Sequence, residues 1–421
     1  MKRKKVWRGA LLLTALFFLC LLQSCRGTNR GTVPTGGTAA SDEAGGKAGE
    51  RRETELPPSG KHGQSFTLLL YMIGSDLESE DGAASNDIAE ILAAETEMPL
   101  RILIETGGAK SWKDPQIGDH AGRRFLVEKN ELTELENLGE CNMSEGETLS
   151  DFITFARESY PSERYALILW NHGAGTLMGY GHDENYPECM MPLSELRQAL
   201  AAGGLRFDFV GFDACLMSTL ETAAALSENA DYMIASEETE PCSGWKYTGF
   251  LRALSHDTGL SAELLGRKIV DDFTDESEAN YWDFNTLALI RLAAVKNVVD
   301  RLQDILKGEA EQVETEYVGI VQHAAKTKSF GEGQYEQIDL LDYIDRFPEE
   351  TSGRKELEQA AESAIVYSRS LVENSCGLAF YYPYRRPESY DRVRDMLCEI
   401  GYPSEYFLFF NRFMNTMITG Q

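Results

Sequence analysis

Basic residues are scarce in this chain relative to acids: 40 Lys and Arg against 68 Asp and Glu among 421 residues, a formal net charge of −28. Such a surface repels a polyanion, which argues against a nucleic-acid binder. After residue 22 there is no apolar run long enough to cross a bilayer. No CxxC and no EF-hand pattern occurs, and His172, His182 and Cys189 stand at no recognised zinc spacing, so no metal ligand is assigned. Gly173-Ala174-Gly175 followed by Gly179 misses the GxGxxG spacing of a dinucleotide site. Gly211-Phe212-Asp213-Ala214-Cys215 is not a GxSxG elbow, which lowers the esterase reading. With Cys20, Cys25 and Cys215 set aside, Cys141, Cys189, Cys242, Cys376 and Cys398 remain, an odd set from which no disulfide framework is readable; buried free thiols are expected. What is present is globular: 43% hydrophobic and 10% aromatic residues exclude a mostly disordered chain.

The N-terminus reads as an address. Lys2, Arg3, Lys4, Lys5 and Arg8 precede an apolar run from Ala10 to Leu22, the pattern of a secretory signal, too short for a comfortable transmembrane helix. The run ends Leu22-Gln23-Ser24-Cys25, which resembles the bacterial lipobox, in which the Cys is lipidated. The expectation is a signal peptide over 1–24, lipidation at Cys25, and an exported bacterial cell-envelope lipoprotein; an uncleaved anchor, or an ordinary signal with an incidental Cys, is the alternative. Residues 25–65 are rich in Gly, Thr and Ser with almost no large apolar side chain, a flexible tether with a reach on the order of 35 Å.

From residue 66 short apolar runs alternate with helix-like stretches. The runs Phe66–Ile73, Leu100–Glu105, Arg124–Val127, Tyr165–Trp170, Phe207–Phe212 and Asp231–Ala235 are continuous rather than alternating, as in strands covered on both faces. Phe284–Leu292 and Gly377–Tyr382 are later strand candidates, and Arg354–Leu371 reads as one helix. The pattern predicts an α/β fold, a mostly parallel central sheet with helices on both faces.

Two strand ends carry chemistry. Tyr165–Trp170 runs into Asn171-His172-Gly173-Ala174-Gly175, and Phe207–Phe212 runs into Asp213-Ala214-Cys215. With one helix between them, a βαβ unit places both ends on one rim of the sheet, where open α/β sheets bind ligands. A thiol needs a base or cation nearby to be nucleophilic at neutral pH, and His172 is the available group. Gly173 allows close backbone approach, and its N–H with that of Cys215 could form an oxyanion hole. The helix starting near Ser218 would add its dipole. Asp213 has two readings: a carboxylate that favours a cationic substrate side chain, or one that caps a helix or bonds a backbone amide. Glu238 and Trp245 either wall the pocket or belong to a solvated loop. The acids Asp183 and Glu184 offer hard oxygens.

The ordered set Tyr71-Met72-Ile73-Gly74-Ser75-Asp76-Leu77-Glu78, Glu105-Thr106-Gly107-Gly108, Trp170-Asn171-His172-Gly173-Ala174-Gly175, Asp213-Ala214-Cys215-Leu216-Met217, Ala235-Ser236-Glu237-Glu238, Gly244-Trp245-Lys246-Tyr247 and Gly377-Leu378-Ala379-Phe380-Tyr381-Tyr382-Pro383 resembles the clostripain family of cysteine peptidases, related to the gingipain, legumain and caspase group. The resemblance implies a caspase-like α/β/α sandwich over 66–385, with 386–421 a C-terminal helical extension. It implies His172 as general acid and base, Cys215 as nucleophile, Gly173 and Cys215 as oxyanion donors, and Asp213 as determinant of Arg or Lys before the cut. No cofactor is required; calcium stays open because some relatives use it. The implied partners are peptide or protein substrates and, through Cys25, a lipid membrane. An alternative is a catalytically inactive surface-binding lipoprotein that keeps the fold. Some family members are cut at a basic residue between the His and the Cys. No Lys or Arg occurs here from Gly173 through Leu196, so activity as a single chain is expected, with Arg51 and Arg52 as other cut points.

Overall fold

All eight residues of the strand Phe66–Ile73 (β1) are buried, because both of its faces are covered by helices. The computed structural model describes residues 64–419 except 129, 189 and 283. The expected signal peptide over 1–24, the expected lipidation at Cys25 and most of the expected tether fall outside the described residues. The other strands are Leu100–Gly107 (β2), Gly122–Glu128 (β3), Glu131–Gly139 (β4), Arg164–Trp170 (β5), Phe207–Asp213 (β6), Ala230–Ala235 (β7), Thr286–Arg291 (β8), Gln337–Asp339 (β9), Ile365–Ser370 (β10) and Ala379–Tyr381 (β11).

Nine of them form one sheet in the order β10-β8-β7-β6-β5-β1-β2-β3-β4. β2, β1, β5, β6 and β7 run parallel, and antiparallel strands finish both edges. From β1 the chain builds first toward β2 and later, through β5, in the opposite direction. The order therefore reverses between β1 and β5, and the C-terminal ends of such a pair are where open α/β sheets bind ligands. The helices pack in two groups. One joins Ala83–Ala93, Tyr247–His256 and Ala262–Ala279; the other joins Gly146–Ser159, Leu193–Gly203, Leu220–Leu226, Leu292–Ala310, Arg354–Ala364 and Phe407–Thr419. No helix among the described residues is long and apolar enough to cross a membrane.

The structure corrects two local readings and places a third element. The expected helix Arg354–Leu371 stops at Ala364, and Ile365–Ser370 becomes β10. Its β-branched and aromatic residues suit an extended chain, and pairing with β8 covers an open edge. β4 has no counterpart among the predicted strands, because its acidic sequence carries no apolar run; it is an exposed edge strand whose charges discourage further pairing. Gly377–Tyr382 contributes β11, which pairs with β9 in a separate two-stranded ribbon rather than in the main sheet. Behind that ribbon Tyr343, Phe380, Tyr382, Phe409 and Phe413 form an aromatic cluster; Tyr382 and Phe410 meet edge-on at 5.4 Å. The ribbon thus brings Gln337 against the loop after β6. Of the expected buried thiols, Cys398 is exposed and Cys141, Cys242 and Cys376 are only half-buried, while Cys189 lies outside the described residues.

Candidate active site

The loop after β5 is tied to the end of β1. The Asn171 amide donates to the Ile73 carbonyl and to Ser75 Oγ, and its Oδ1 accepts from the His182 N–H. β1 ends in a sharp turn. A Cβ on Gly74 would stand 2.9 Å from Ala109 and Trp112, and Ser75 sits in the left-handed region at φ 51°. This turn delivers Asp76 to His172, with Oδ1 2.9 Å from Nε2. Burial pulls the imidazole pKa down, but the hydrogen bond and charge of Asp76, with the Cys215 charge, outweigh it and the net shift is upward. Burial raises the Asp76 carboxyl, but the bond to His172 dominates and holds it at about 2. Which ring nitrogen carries a proton follows from that bond: Nε2–H faces the carboxylate, and Nδ1 lies on the other side of the ring.

Cys215 emerges from the neighbouring strand, with Trp170 of β5 in register with Asp213 of β6. A side chain at Gly173 would collide with the Cys215 carbonyl oxygen, so only glycine lets these two loops touch backbone to backbone. Cys215 is 6% exposed. The next residue, Leu216, has φ 67°, a conformation that costs a branched-chain residue about 1–3 kcal/mol. It is held there by the Glu238 carbonyl, which accepts from Leu216 N at 3.0 Å, and by Gln337 Nε2, which donates to the Leu216 carbonyl at 3.3 Å. The strained turn aims the sulfur. The expected helix dipole is replaced by a nearer donor: the helix begins at Leu220, N-capped by Thr219, while the N–H of Glu240 stands 3.2 Å from Cys215 Sγ.

Asp213 is buried. Trp245 N–H lies 3.2 Å from both its oxygens and the Tyr247 hydroxyl donates at 2.8 Å. Burial pushes its pKa up to about 7 against those bonds. Gly244 covers the carboxylate: a Cβ there would lie 2.7 Å from Oδ1. The backbone-amide reading of Asp213 thus describes its contacts in this conformation. Trp245 is buried with its ring against Gly211. Glu238 is half-buried, and its Oε1 accepts from Gly331 N–H at 2.9 Å, which pins the 331–333 turn to the site's edge. On the outer side of the 242–246 segment lies a cleft of about 560 Å³ lined by Asp81, Asp87, Glu90, Trp245, Lys246 and Glu276.

Three acids near the site have no role in the sequence pattern. Asp76 belongs to the first motif, where nothing local marks it as a partner of the histidine. Glu240 is buried beside Asp213 and Cys215; burial, then those two charges, push its carboxyl well up. Asp87, also buried, accepts from Trp170 Nε1 at 2.7 Å, and burial and the Asp213 charge raise its pKa well above the usual range. The carboxylates at Asp183 and Glu184 already accept protein donors: Met143 N–H and Asn185 N–H on the first, Lys110 on the second.

Residues 70–384 match the sequence model of the Clostripain family. The chain is 23% identical over 401 residues to clostripain of Hathewaya histolytica, an alignment covering 77% of this chain and 76% of that protein. In fold it is similar to an inactive zymogen C11 protease from Parabacteroides distasonis (TM-score 0.63, 20% identity, 82% of this chain and 99% of the other). It is similar as well to a secreted C11 cysteine protease from Bacteroides thetaiotaomicron solved with an irreversible peptide inhibitor (TM-score 0.64, 16% identity, 81% and 100%). With its mostly parallel sheet, its strand order and a match that spans most of its length, this chain belongs to the clostripain family of cysteine peptidases.

Proposed function

We propose that this peptidase is a membrane-tethered extracytoplasmic endopeptidase that cuts after Arg, or Lys, through Cys215 and His172. The observation that carries the reading is the backbone contact between the Gly173 and Cys215 loops, with Asp76 behind the imidazole and the Glu240 N–H at the sulfur. In this mechanism Cys215 Sγ, as thiolate, attacks the peptide carbonyl. The oxyanion is met by the N–H groups of Gly173 and Cys215; the N–H of Leu216 is already engaged by Glu238. His172, held protonated by Asp76, gives a proton to the leaving amine. Water then attacks the thioester carbonyl, His172 takes one of its protons, and the C–S bond breaks to release the acid and restore the thiolate and imidazolium.

A cationic side chain before the cut is favoured by Asp213 and by the acids around the adjoining cleft. The 243–246 segment must move off Asp213 to admit it, while the Glu240 N–H stays at the sulfur. Arg197 lies inside the helix Leu193–Gly203 and Arg206 directly precedes β6, which supports work as a single chain. The lipid tether rests on residues 1–65 alone.

The test is labelling. A peptide ending in Arg with an irreversible thiol-reactive group is expected to add once per chain, on the fragment that contains Cys215, and faster than its Glu-ending counterpart. Labelling elsewhere, or none, removes the assignment and favours the inactive binding protein.

Asp76→Asn is expected to lower kcat/KM on the order of 10²-fold. The sign of its pH effect follows from the pair. Asp76 raises the His172 pKa, so without it the imidazolium is lost at lower pH and the alkaline limb of the profile moves down. The contribution of the pair to stability is present between about pH 4, above which unfolded Asp is ionised, and about pH 6.5, above which it fades with the His172 proton. A pH–rate profile with an unmoved alkaline limb rejects the role of Asp76.

A further inference from the structure

Away from the catalytic cysteine, the fold gathers three potential ligands from distant parts of the sequence. Glu237 follows β7, Asp339 ends β9, and Cys376 lies in the loop before β11. One oxygen of each carboxylate and the sulfur lie within 4.8 Å of one another. Both acids are fully buried and the cysteine is half-buried. The acids receive backbone donors: Gly377 N–H on Glu237 Oε2 at 2.7 Å, Cys376 N–H on Asp339 Oδ2 at 2.6 Å, and Asp342 N–H on Asp339 Oδ1 at 2.8 Å. The thiol points to the Leu378 carbonyl at 3.5 Å. Glu237 Oε1 is buried and accepts no hydrogen bond.

Two carboxylates side by side in the interior, one with an orphaned oxygen, call for a positive charge between them. A shared proton would bridge Glu237 and Asp339, with the thiol left to donate to Asp339 or to the Leu378 carbonyl. A divalent cation serves all three groups. The donor set selects its class: calcium and magnesium take all-oxygen shells, whereas two hard oxygens with one thiolate suit zinc and its neighbours. Zinc bonds of about 2.0–2.3 Å place tetrahedral ligand atoms roughly 3.3–3.8 Å apart, so side-chain movements of about an ångström close the site.

We propose that Glu237, Asp339 and Cys376 form a buried structural site for a zinc-class divalent cation. Its place gives it a consequence. Glu237 leads directly into Glu238 and Glu240, which hold Leu216 and the Cys215 sulfur, and Gln337, two residues before Asp339, holds the carbonyls of both Leu216 and Glu237. A cation here clamps the frame behind the strained Leu216 turn without touching substrate.

The test uses the full chain carrying Cys215→Ala, which removes the thiol beside His172 as a competing ligand, purified free of metal. Titration with cobalt(II) is expected to give one equivalent with thiolate-to-cobalt charge-transfer absorption, displaced by zinc(II). Zinc at roughly 100-fold over its Kd is expected to raise Tm by about 3–5 °C. Both signals are expected to vanish in the added variant Cys376→Ser, and to weaken at least tenfold in Glu237→Gln, which keeps the proposal testable if the serine variant does not fold. Absence of the charge-transfer band, or a band and a Tm shift that survive in the folded variants, overturns it; in the first case the two acids share a proton only.

Discussion

Cys215→Ala is expected to cut turnover of an Arg-ending fluorogenic peptide on the order of 10⁴–10⁶-fold while the protein stays folded. The reason for the size is that no other group stands where Cys215 does. The sulfur is the acceptor for the Glu240 N–H, and its backbone lies against Gly173 beside the imidazole. Alanine removes one nearly buried atom and leaves the Leu216 turn and its two hydrogen bonds in place, so the loss of Tm should be small. His172→Ala is expected to lose about 10²–10⁴-fold, less than the nucleophile, because the Glu240 N–H still favours the thiolate. Equal turnover by wild type and Cys215→Ala would sink the enzymatic assignment of this cysteine.

Asp213→Asn carries the second large effect, and it is selective. A guanidinium that reaches a buried carboxylate depends on its charge, so kcat/KM for Arg substrates should fall on the order of 10²–10³-fold, with little change for a neutral residue at that place. The pH dependence follows from the carboxyl at about 7. Below that pH Asp213 must shed a proton to hold a cation. In the wild type, KM for Arg substrates should therefore rise as pH falls, while KM for neutral peptides stays flat. Stability supplies the folding control. A carboxyl raised above its unfolded value of about 3.8 costs the folded state stability as pH climbs from there to 7, so the Asp213→Asn variant should be at least as stable at neutral pH. Unchanged Arg preference in the folded variant removes Asp213 from the pocket.

Legibility in the sequence follows how local each signal is. β1, β5 and β6 are readable because their apolar runs are continuous and end in polar or glycine residues, and the two strand ends point to His172 and Cys215 without knowledge of the fold. β4 and β10 are not, because an edge strand, exposed in β4 and half-buried in β10, needs no long apolar run. Asp76 sits in a legible motif, yet its role is invisible there: its bond to His172 exists because β1 and β5 are neighbours at the point where the strand order reverses. Glu240 and Asp87 lie 25 residues after and well before the cysteine, in segments with no pattern of their own.

The sequence by itself determined the alternation of strand and helix, the continuous burial of the central strands, and the chemistry carried at two strand ends. These are properties of short windows, set by hydrophobic period and by which residues follow a strand. Tertiary structure alone decided what stands behind those residues: the carboxylate on the imidazole, the amide on the sulfur, the loop over Asp213, and the meeting of Glu237, Asp339 and Cys376. Those contacts join segments up to 140 residues apart, as in the bond from Gly377 to Glu237, and only strand order and the seating of the ribbon on the sheet bring such segments together.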